Sequence, residues 1–207
     1  MTQTRVIKRL IVIGSSTGGP RALYRIIPNI PENVPAAFLV VQHMPPKFTA
    51  SLAERLNEVS RLKVKEAEHG EAVRCGYVYI APGGRHLKVK GETLASLCLE
   101  LSDDEPVAGH RPSVDVLFES IGRSNISGVI AVILTGMGSD GSNYLVDIKK
   151  KEENRVIIQD EDSCVVFGMP GAALKTGMVD KVVPLDKMAE EIMNMLGVQY
   201  DGREPVS

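Results

Sequence analysis

The sequence predicts an α/β fold, with a doubly wound, mostly parallel sheet, helices on both faces and an antiparallel hairpin at one edge. Strand-type apolar runs alternate along the chain with helix-type amphipathic segments, which is the pattern of a parallel sheet covered by helices. The 207 residues, 43% of them hydrophobic, suffice for one sizeable core and argue against two full domains. Between residues 77 and 101 the turns are very short, and short turns require antiparallel pairing.

The first part of the chain alternates strand and helix. An apolar run over 10–15 ends at a glycine-rich turn, and a helix closed by prolines is predicted over 20–30. The next apolar run, 38–42, ends at His43, where a double proline prevents its extension. Apolar residues then recur at helical spacing over 48–59, which predicts a second helix.

The middle of the chain interrupts this alternation. Segments 77–80, 86–90 and 93–101 are separated only by short turns that contain glycine. We expect these segments to pair antiparallel. They would form a small insertion at one edge of the parallel sheet, which is a common arrangement in mixed sheets.

The alternation resumes after a polar loop that ends at Pro112, a residue suited to the first position of a helix. The elements predicted after that helix are a strand at 128–134, a charged helix to about Glu153, a buried strand at 156–158, a helix from Pro170, a short strand at 182–183 and a helix over 187–196. Asn154 stands where a helix-ending residue with a left-handed backbone is expected. We predict one domain over 1–200 and a frayed tail over 201–207.

Composition excludes several classes of function. The net charge of −2 and the lack of a long basic stripe give no electrostatic footprint for nucleic acid or for an anionic membrane surface. The three cysteines form no Cys-x-x-Cys or Cys/His cluster, so neither a disulfide framework nor a metal site is expected. No apolar run approaches membrane-spanning length. We therefore predict a cytoplasmic protein with reduced thiols and no direct membrane insertion.

Three chemically capable side chains each follow a strand-type run. They are Ser16 after the first run, His43 after the second, and Asp140 in a turn with three glycines after the strand at 128–134. The carboxyl ends of parallel strands share one edge of a sheet, where ligands bind. A serine, a histidine and an aspartate that meet there form an acyl-transfer site.

Each of these residues also has a structural interpretation. The loop at 14–19 matches neither phosphate-binding glycine pattern nor Gly-x-Ser-x-Gly, so a structural turn with a capping serine and a phosphate-binding loop both stay open. A lone histidine at a strand end is usually structural, and Asp140 has the alternative of a turn-forming aspartate. His69, His86 and His110 have no metal-ligand spacing and are predicted to be surface or structural residues.

Six segments of the sequence resemble the catalytic domain of the chemotaxis protein-glutamate methylesterases, enzymes that remove methyl groups from chemoreceptors. Their order along the chain and the separations between them match as well. The resemblance runs over nearly the whole chain. The segments are IGSSTGGP at 13–20, QHMPPKFT at 42–49, YIAPG at 79–83, HRPSVD at 110–115, LTGMGSDG at 134–141 and SCVVFGMP at 163–170.

The resemblance implies a serine hydrolase that releases methanol from glutamate γ-methyl esters and could also deamidate receptor glutamines. It implies Ser16 as the nucleophile, His43 as the general acid/base and Asp140 as the partner of the histidine. It also implies that the backbone amides near Thr17 and Met137 form the oxyanion hole. No metal or organic cofactor is implied.

The implied partners are the methylated cytoplasmic helices of chemoreceptors. Family members commonly carry a phosphorylatable receiver domain ahead of the catalytic domain, and this sequence shows none, so a separate receiver-domain protein is a further candidate partner. The segment between Gly141 and Val156 lacks the small residues expected of the family. We expect altered surface contacts there and an intact triad. A non-catalytic nucleotide- or phosphate-binding module and a degenerate esterase that only docks on receptors stay as alternatives.

Overall fold

The structure, a computed structural model, describes residues 6–200. The tail predicted at 201–207 lies outside the described residues. The strands are β1 (Arg9–Ser15), β2 (Ala36–Gln42), β3 (Lys63–Glu66), β4 (Tyr77–Ile80), β5 (His86–Lys90), β6 (Cys98–Ser102), β7 (Val129–Ile133), β8 (Arg155–Gln159) and β9 (Lys181–Val183). The helices are α1 (Gly19–Ile26), α2 (Phe48–Val59), α3 (Val114–Gly122), α4 (Leu145–Lys149), α5 (Gly168–Lys175) and α6 (Met188–Met195).

Seven of the strands form one parallel sheet in the order β3-β4-β2-β1-β7-β8-β9. The chain moves outward from β1 on one side through β2 and on the other side through β7, so the order reverses between β1 and β7. This reversal is the doubly wound pattern, and it confirms the predicted fold class. Ligand sites of such folds lie at the reversal, beside the carboxyl ends of the strands.

The sheet is covered on both faces. Along β1, Leu10 and Val12 pack into a cluster with α3, α4 and α5, whereas Ile11 and Ile13 pack into a second cluster with α1, α2 and α6. All four side chains are fully buried, because successive side chains of a strand point to opposite faces and both faces are covered. No described helix combines the length and the apolarity that a membrane crossing requires.

The prediction for residues 77–80 was wrong in its pairing. This segment is β4, and it pairs parallel with both β2 and β3 inside the main sheet. Val78, Tyr79 and Ile80 are fully buried, and two covered faces are available only within that sheet. The turn after β4 is short, but a short turn limits how far the chain travels and does not decide whether the two segments pair.

The antiparallel hairpin consists of β5 and β6 alone, and it forms a separate two-stranded sheet. Its apolar side chains Leu87, Val89 and Leu99 pack into the same cluster as α3. The Val89 amide also donates a hydrogen bond of 3.1 Å to Ser120 Oγ on α3. The hairpin therefore supports the helix whose first turn enters the site described below.

Among the helix boundaries that differ from the prediction are the start of α3 and the end of α4. α3 begins at Val114, with Ser113 in extended backbone before it, rather than at Pro112. α4 ends at Lys149 instead of continuing to Glu153. Asn154 is absent from the residues with a positive φ, so the left-handed backbone predicted for it was wrong.

Asn154 instead works through its side chain, which is buried. Its Nδ2 donates to the Ile148 carbonyl at 2.8 Å, and its Oδ1 accepts the Val129 amide at 2.8 Å. The amide side chain thus joins the end of α4 to the start of β7, the strand that leads to Asp140.

We expect Asn154→Ala to lower the free energy of unfolding by about 1–3 kcal/mol, because it leaves a buried amide and a buried carbonyl without partners. Urea denaturation followed by circular dichroism measures the change. Asn125→Ala is the matched control, since Asn125 is exposed and its loss should change stability little. Equal stabilities of the two variants would contradict the role assigned to Asn154.

Candidate active site

Ser16 and His43 leave the sheet side by side. Ser15 and Gln42 are the last paired residues of β1 and β2, and the His43 amide donates to the Ser15 carbonyl at 3.1 Å. Parallel neighbouring strands that end at the same level therefore bring the next residue of each strand to one point of the sheet edge.

Gln42 fixes this strand end, and its place in the segment at 42–49 was the sequence signal that could have drawn attention to it. Its buried side chain accepts the Ser15 hydroxyl at 2.7 Å through Oε1. Its Nε2 donates to the carbonyls of Ser16 at 2.9 Å and His43 at 3.2 Å. One amide group thus holds the backbone of both candidate catalytic residues.

Asp140 lies in the loop after β7 and accepts four hydrogen bonds. His43 Nε2 lies 2.7 Å from Oδ2, which also accepts the Val114 amide at 2.7 Å. Oδ1 accepts the Ser113 hydroxyl and the Asp115 amide, both at 2.8 Å. Three of these donors belong to the start of α3, where an anion is stabilised by unpaired amides and by the helix dipole.

These bonds decide the charge of Asp140 and the tautomer of His43. Burial alone would raise the pKa of Asp140, but the hydrogen bonds from His43 and from the start of α3 outweigh it and hold the pKa below its usual value. An ionised carboxylate only accepts hydrogen bonds, so His43 Nε2 carries the hydrogen. The other ring nitrogen, Nδ1, is left with a lone pair.

His43 Nδ1 is buried and has no hydrogen-bond partner in the described part of the chain. Ser16 is half-buried, and its hydroxyl makes no hydrogen bond within residues 6–200. The structure therefore brings His43 and Asp140 into direct contact. Ser16 follows the neighbouring strand, but its hydroxyl does not form a hydrogen bond with His43. Such bonds often tighten only when substrate is bound.

The amides of Thr17 and Met137 donate no hydrogen bond to any described residue. Their loops are tied together, because Thr135 Oγ1 donates to the Thr17 carbonyl at 2.9 Å. A Cβ added to Gly136 would lie 2.8 Å from Ser16 Cβ, so the residue before Met137 lies against the candidate nucleophile. Two amides without partners on either side of a serine are suited to stabilise an oxyanion.

His110 was predicted to be a surface or structural residue, and the structure places it in the site. Its ring stacks on the His43 ring, with centroids 3.9 Å apart and planes 9° from parallel. Burial first, and then the neighbouring His43, lower the pKa of His110. The segment at 110–115 was the only sequence signal that could have drawn attention to it.

His86 is fully buried and has a structural role. Its Nδ1 accepts the Ser113 amide at 3.3 Å, and its Nε2 lies 3.1 Å from the Glu105 carbonyl. The ring therefore supports the start of α3 from the side opposite Asp140. Its pKa is lowered, chiefly by burial, which agrees with a neutral ring that donates through one nitrogen and accepts through the other.

The loop at 14–19 is not arranged to cradle a phosphate. The Ser16 amide is bound to the Thr135 carbonyl, and the Gly19 amide is bound to the Ser16 carbonyl, so two of the loop's amides are not available to a phosphate. Within the described residues there is also no group of three side chains of the types that hold a metal ion.

Comparison with known proteins agrees with the resemblance seen in the sequence. The protein-glutamate methylesterase/protein-glutamine glutaminase 1 of Syntrophomonas wolfei is 50% identical over 197 residues, which are 94% of this chain and 56% of that protein. The corresponding protein of Halalkalibacterium halodurans is 50% identical over 186 residues, 90% of this chain and 53% of that protein. The chain thus spans about half the length of these curated relatives.

A solved structure extends the likeness to three dimensions. The crystal structure of the Thermotoga maritima CheB methylesterase catalytic domain superposes with a TM-score of 0.86 at 46% identity, covering 92% of this chain and all of that one. The family model for CheB methylesterase matches residues 11–192, which include the strands, loops and helix start that form the site. The chain therefore belongs to the CheB methylesterase family.

Proposed function

We propose that this chain hydrolyses glutamate γ-methyl esters on chemoreceptors, with release of methanol, and that it also deamidates receptor glutamines. The observation that carries the proposal is the state of His43, whose Nε2 is bound by the buried Asp140 carboxylate while Nδ1 is buried and has no partner within the described residues. The Gln42 amide binds the carbonyls of both Ser16 and His43, so the two backbones are neighbours. The relatives named above support the substrate class. The catalytic domain is proposed to cover residues 1–200.

In the acylation step Ser16 Oγ attacks the ester carbonyl carbon, and His43 Nδ1 takes the hydroxyl proton. Asp140 stabilises the imidazolium that forms, as the aspartate does in serine hydrolase triads. The amides of Thr17 and Met137 donate to the oxyanion. The protonated His43 then delivers its proton to the departing methoxide, which leaves as methanol.

In the second step water attacks the acyl-enzyme while His43 accepts its proton. The bond to Ser16 Oγ then breaks, His43 returns the proton to Ser16, and the receptor leaves with a glutamate side chain. With a glutamine side chain the leaving group is ammonia, and the same groups act in the same order. The chemistry uses side chains and amides of this chain throughout and needs no metal.

The surroundings of the site suit a substrate that is part of another protein. Ser16 is half-buried, Thr17 is exposed, and the Met137 side chain at the rim is 68% exposed. A side chain that projects from a helix can reach such a site while the helix stays folded. The proposed partners are accordingly the methylated cytoplasmic helices of chemoreceptors.

Two further proposals concern the location and the regulation of this chain. A reducing, cytoplasmic location is supported by the family resemblance and by a sequence whose three cysteines form no Cys-x-x-Cys or Cys/His cluster. A receiver domain as regulatory partner is supported by the family resemblance alone. The degenerate esterase that only docks is disfavoured by the bound pair of His43 and Asp140, and the nucleotide-binding alternative is not supported by any of the relatives.

Ser16→Ala should lower methanol release from a methylated receptor fragment by at least about 10⁴-fold, since loss of a triad nucleophile leaves only oxyanion stabilisation and binding. Ser139→Ala is the control, because Ser139 is an exposed serine at the same rim. A serine-directed phosphonate should label the wild-type chain at Ser16. Full activity of Ser16→Ala would refute the proposed nucleophile, and stabilisation by nucleotide without labelling would favour the binding module.

Asp140→Asn should reduce kcat by about 10⁴-fold, the loss seen for this change in the serine protease triad.

The same substitution should also remove a contribution of Asp140 to the free energy of unfolding that depends on pH. Because the folded pKa of Asp140 lies below the ordinary value of 3.8, its contribution is present at neutral pH and is lost as the pH falls below 3.8. Urea denaturation should show the variant less stable at neutral pH, with the difference shrinking in acid. A difference that grows in acid would contradict this.

His110→Ala should lower kcat by about 2–10-fold, which corresponds to the ~0.5–1.5 kcal/mol that a stacked ring contributes. His110→Phe keeps a neutral ring over His43 and should retain most of the activity. Methanol release at saturating substrate measures both variants. If the two variants lose activity equally, the stacked ring is not what His110 supplies.

A further inference from the structure

A second buried carboxylate lies at the start of α3 and takes no part in the mechanism above. Asp115 is only 3% exposed. Its Oδ1 accepts the amides of Gly141 at 3.0 Å and Asn143 at 3.2 Å, and its Oδ2 accepts Asn143 Nδ2 at 2.6 Å. The carboxylate of one helix thus holds the residues that directly follow Asp140.

The connection runs in both directions. The Asp115 amide donates to Asp140 Oδ1 at 2.8 Å, while the Asp115 carboxylate accepts the amide of Gly141, the next residue after Asp140. Asp140 is therefore fixed through its own carboxylate and also through its backbone. Both contacts originate from one residue of α3.

The start of α3 also packs closely against the end of β1 and the loop of Asp140. A Cβ on Gly141, whose φ is +93°, would lie 2.8 Å from Val114 Cγ1, and a Cβ on Gly14 would lie 2.5 Å from that same atom. Val114 therefore separates the end of β1 from the loop of Asp140 at contact distance. A movement of that loop would carry Asp140 relative to the strand that leads to Ser16.

Electrostatics make this arrangement unfavourable unless its hydrogen bonds are complete. Burial and the nearby Asp140 raise the pKa of Asp115, and the hydrogen bonds from Asn143 and Gly141 oppose that rise. A buried carboxylate that loses its donors would be strongly destabilised. The donors all come from the segment 141–143, so the charge of Asp115 and the position of that segment depend on each other.

We propose that Asp115 is a positioning residue for ester hydrolysis, which holds the Asp140 carboxylate at the distance at which it binds His43. The proposal rests on the proposed function of the site. Asp115 touches no reacting atom and exchanges no proton in the reaction. It acts by limiting the movement of Asp140, and a displacement of about 1 Å in a catalytic group can lower a rate by about 100-fold.

The hydrogen bonds of Asp115 permit a test with two substitutions. Asp115→Ala removes both acceptor oxygens and leaves the donors of Gly141 and Asn143 without their partner. Asp115→Asn keeps an acceptor for the two amides, and the Asn143 side-chain amide can turn its oxygen toward the new donor, so the hydrogen bonds are kept without the charge. Glu119→Gln is the matched control, since Glu119 lies one turn further along α3 and also binds the segment after Asp140, through the Tyr144 hydroxyl at 2.8 Å.

Three kinds of measurement are made on the full chain. Methanol release from methylated receptor gives kcat and KM. The proton NMR spectrum gives the downfield resonance expected of the short, charge-assisted bond between His43 Nε2 and Asp140, whether or not the chain is active. Circular dichroism and thermal unfolding report whether each variant is folded.

We expect folded Asp115→Ala to lose kcat by about 10–100-fold with KM little changed, and to shift or broaden the downfield resonance. Asp115→Asn should retain most of kcat and the resonance, and Glu119→Gln should resemble wild type in both. A folded Asp115→Ala with normal kcat and an unchanged resonance would overturn the proposal, as would a folded Asp115→Asn that loses kcat and the resonance as far as Asp115→Ala does.

The NMR signal separates this proposal from the proposed function. If the wild-type chain shows the downfield resonance but releases no methanol, the proposed function fails, and the response of the resonance to Asp115→Ala still decides the role of Asp115. If wild type is active and Asp115→Ala changes neither kcat nor the resonance, only the role of Asp115 fails.

Discussion

The buried carboxylate of Asp140 at the start of α3 is the interaction on which the rest of the site depends. A charge removed from water is stable only when several donors surround it, and here the donors are two amides, one hydroxyl and the His43 ring. The loop after β7, the start of α3 and the end of β2 must therefore meet at one point. Because one anion needs all these donors, its burial brings the candidate catalytic residues His43 and Asp140 together.

The glycines around this point are required by close packing. A Cβ on Gly19 would lie 1.9 Å from the Gln42 side chain, and a Cβ on Gly136 would lie 2.3 Å from Met169 Sδ as well as near Ser16. The strand ends approach so closely that side chains are excluded from these loops. Their glycine-rich character, which also suggested a phosphate site, reflects the packing of a sheet edge that presents a serine, a histidine and two free amides together.

Several features were predictable because they depend on neighbours in the sequence. Apolar runs and helical spacing gave the alternation of strands and helices, and the rule that parallel strands end at one edge brought Ser16, His43 and Asp140 together as candidates. The pairing of β4 was not predictable in this way, because β4 is placed by burial on both faces within the main sheet. Asn154 was singled out by the local pattern, but its buried side-chain bond to the start of β7 depends on a segment 25 residues away.

The residues available for chemistry and the runs that form buried strands could be identified from the amino-acid order alone, because strand burial and turn geometry are encoded over a few residues. Three features required the folded chain. They are the His43 nitrogen that faces Asp140, a residue 97 positions away, the cover that His110 provides over the His43 ring, and the contact of Asp115 with the loop after Asp140. These contacts arise where distant segments pack together at the sheet edge, and hydrogen-bond partners chosen there depend on distance and direction in space.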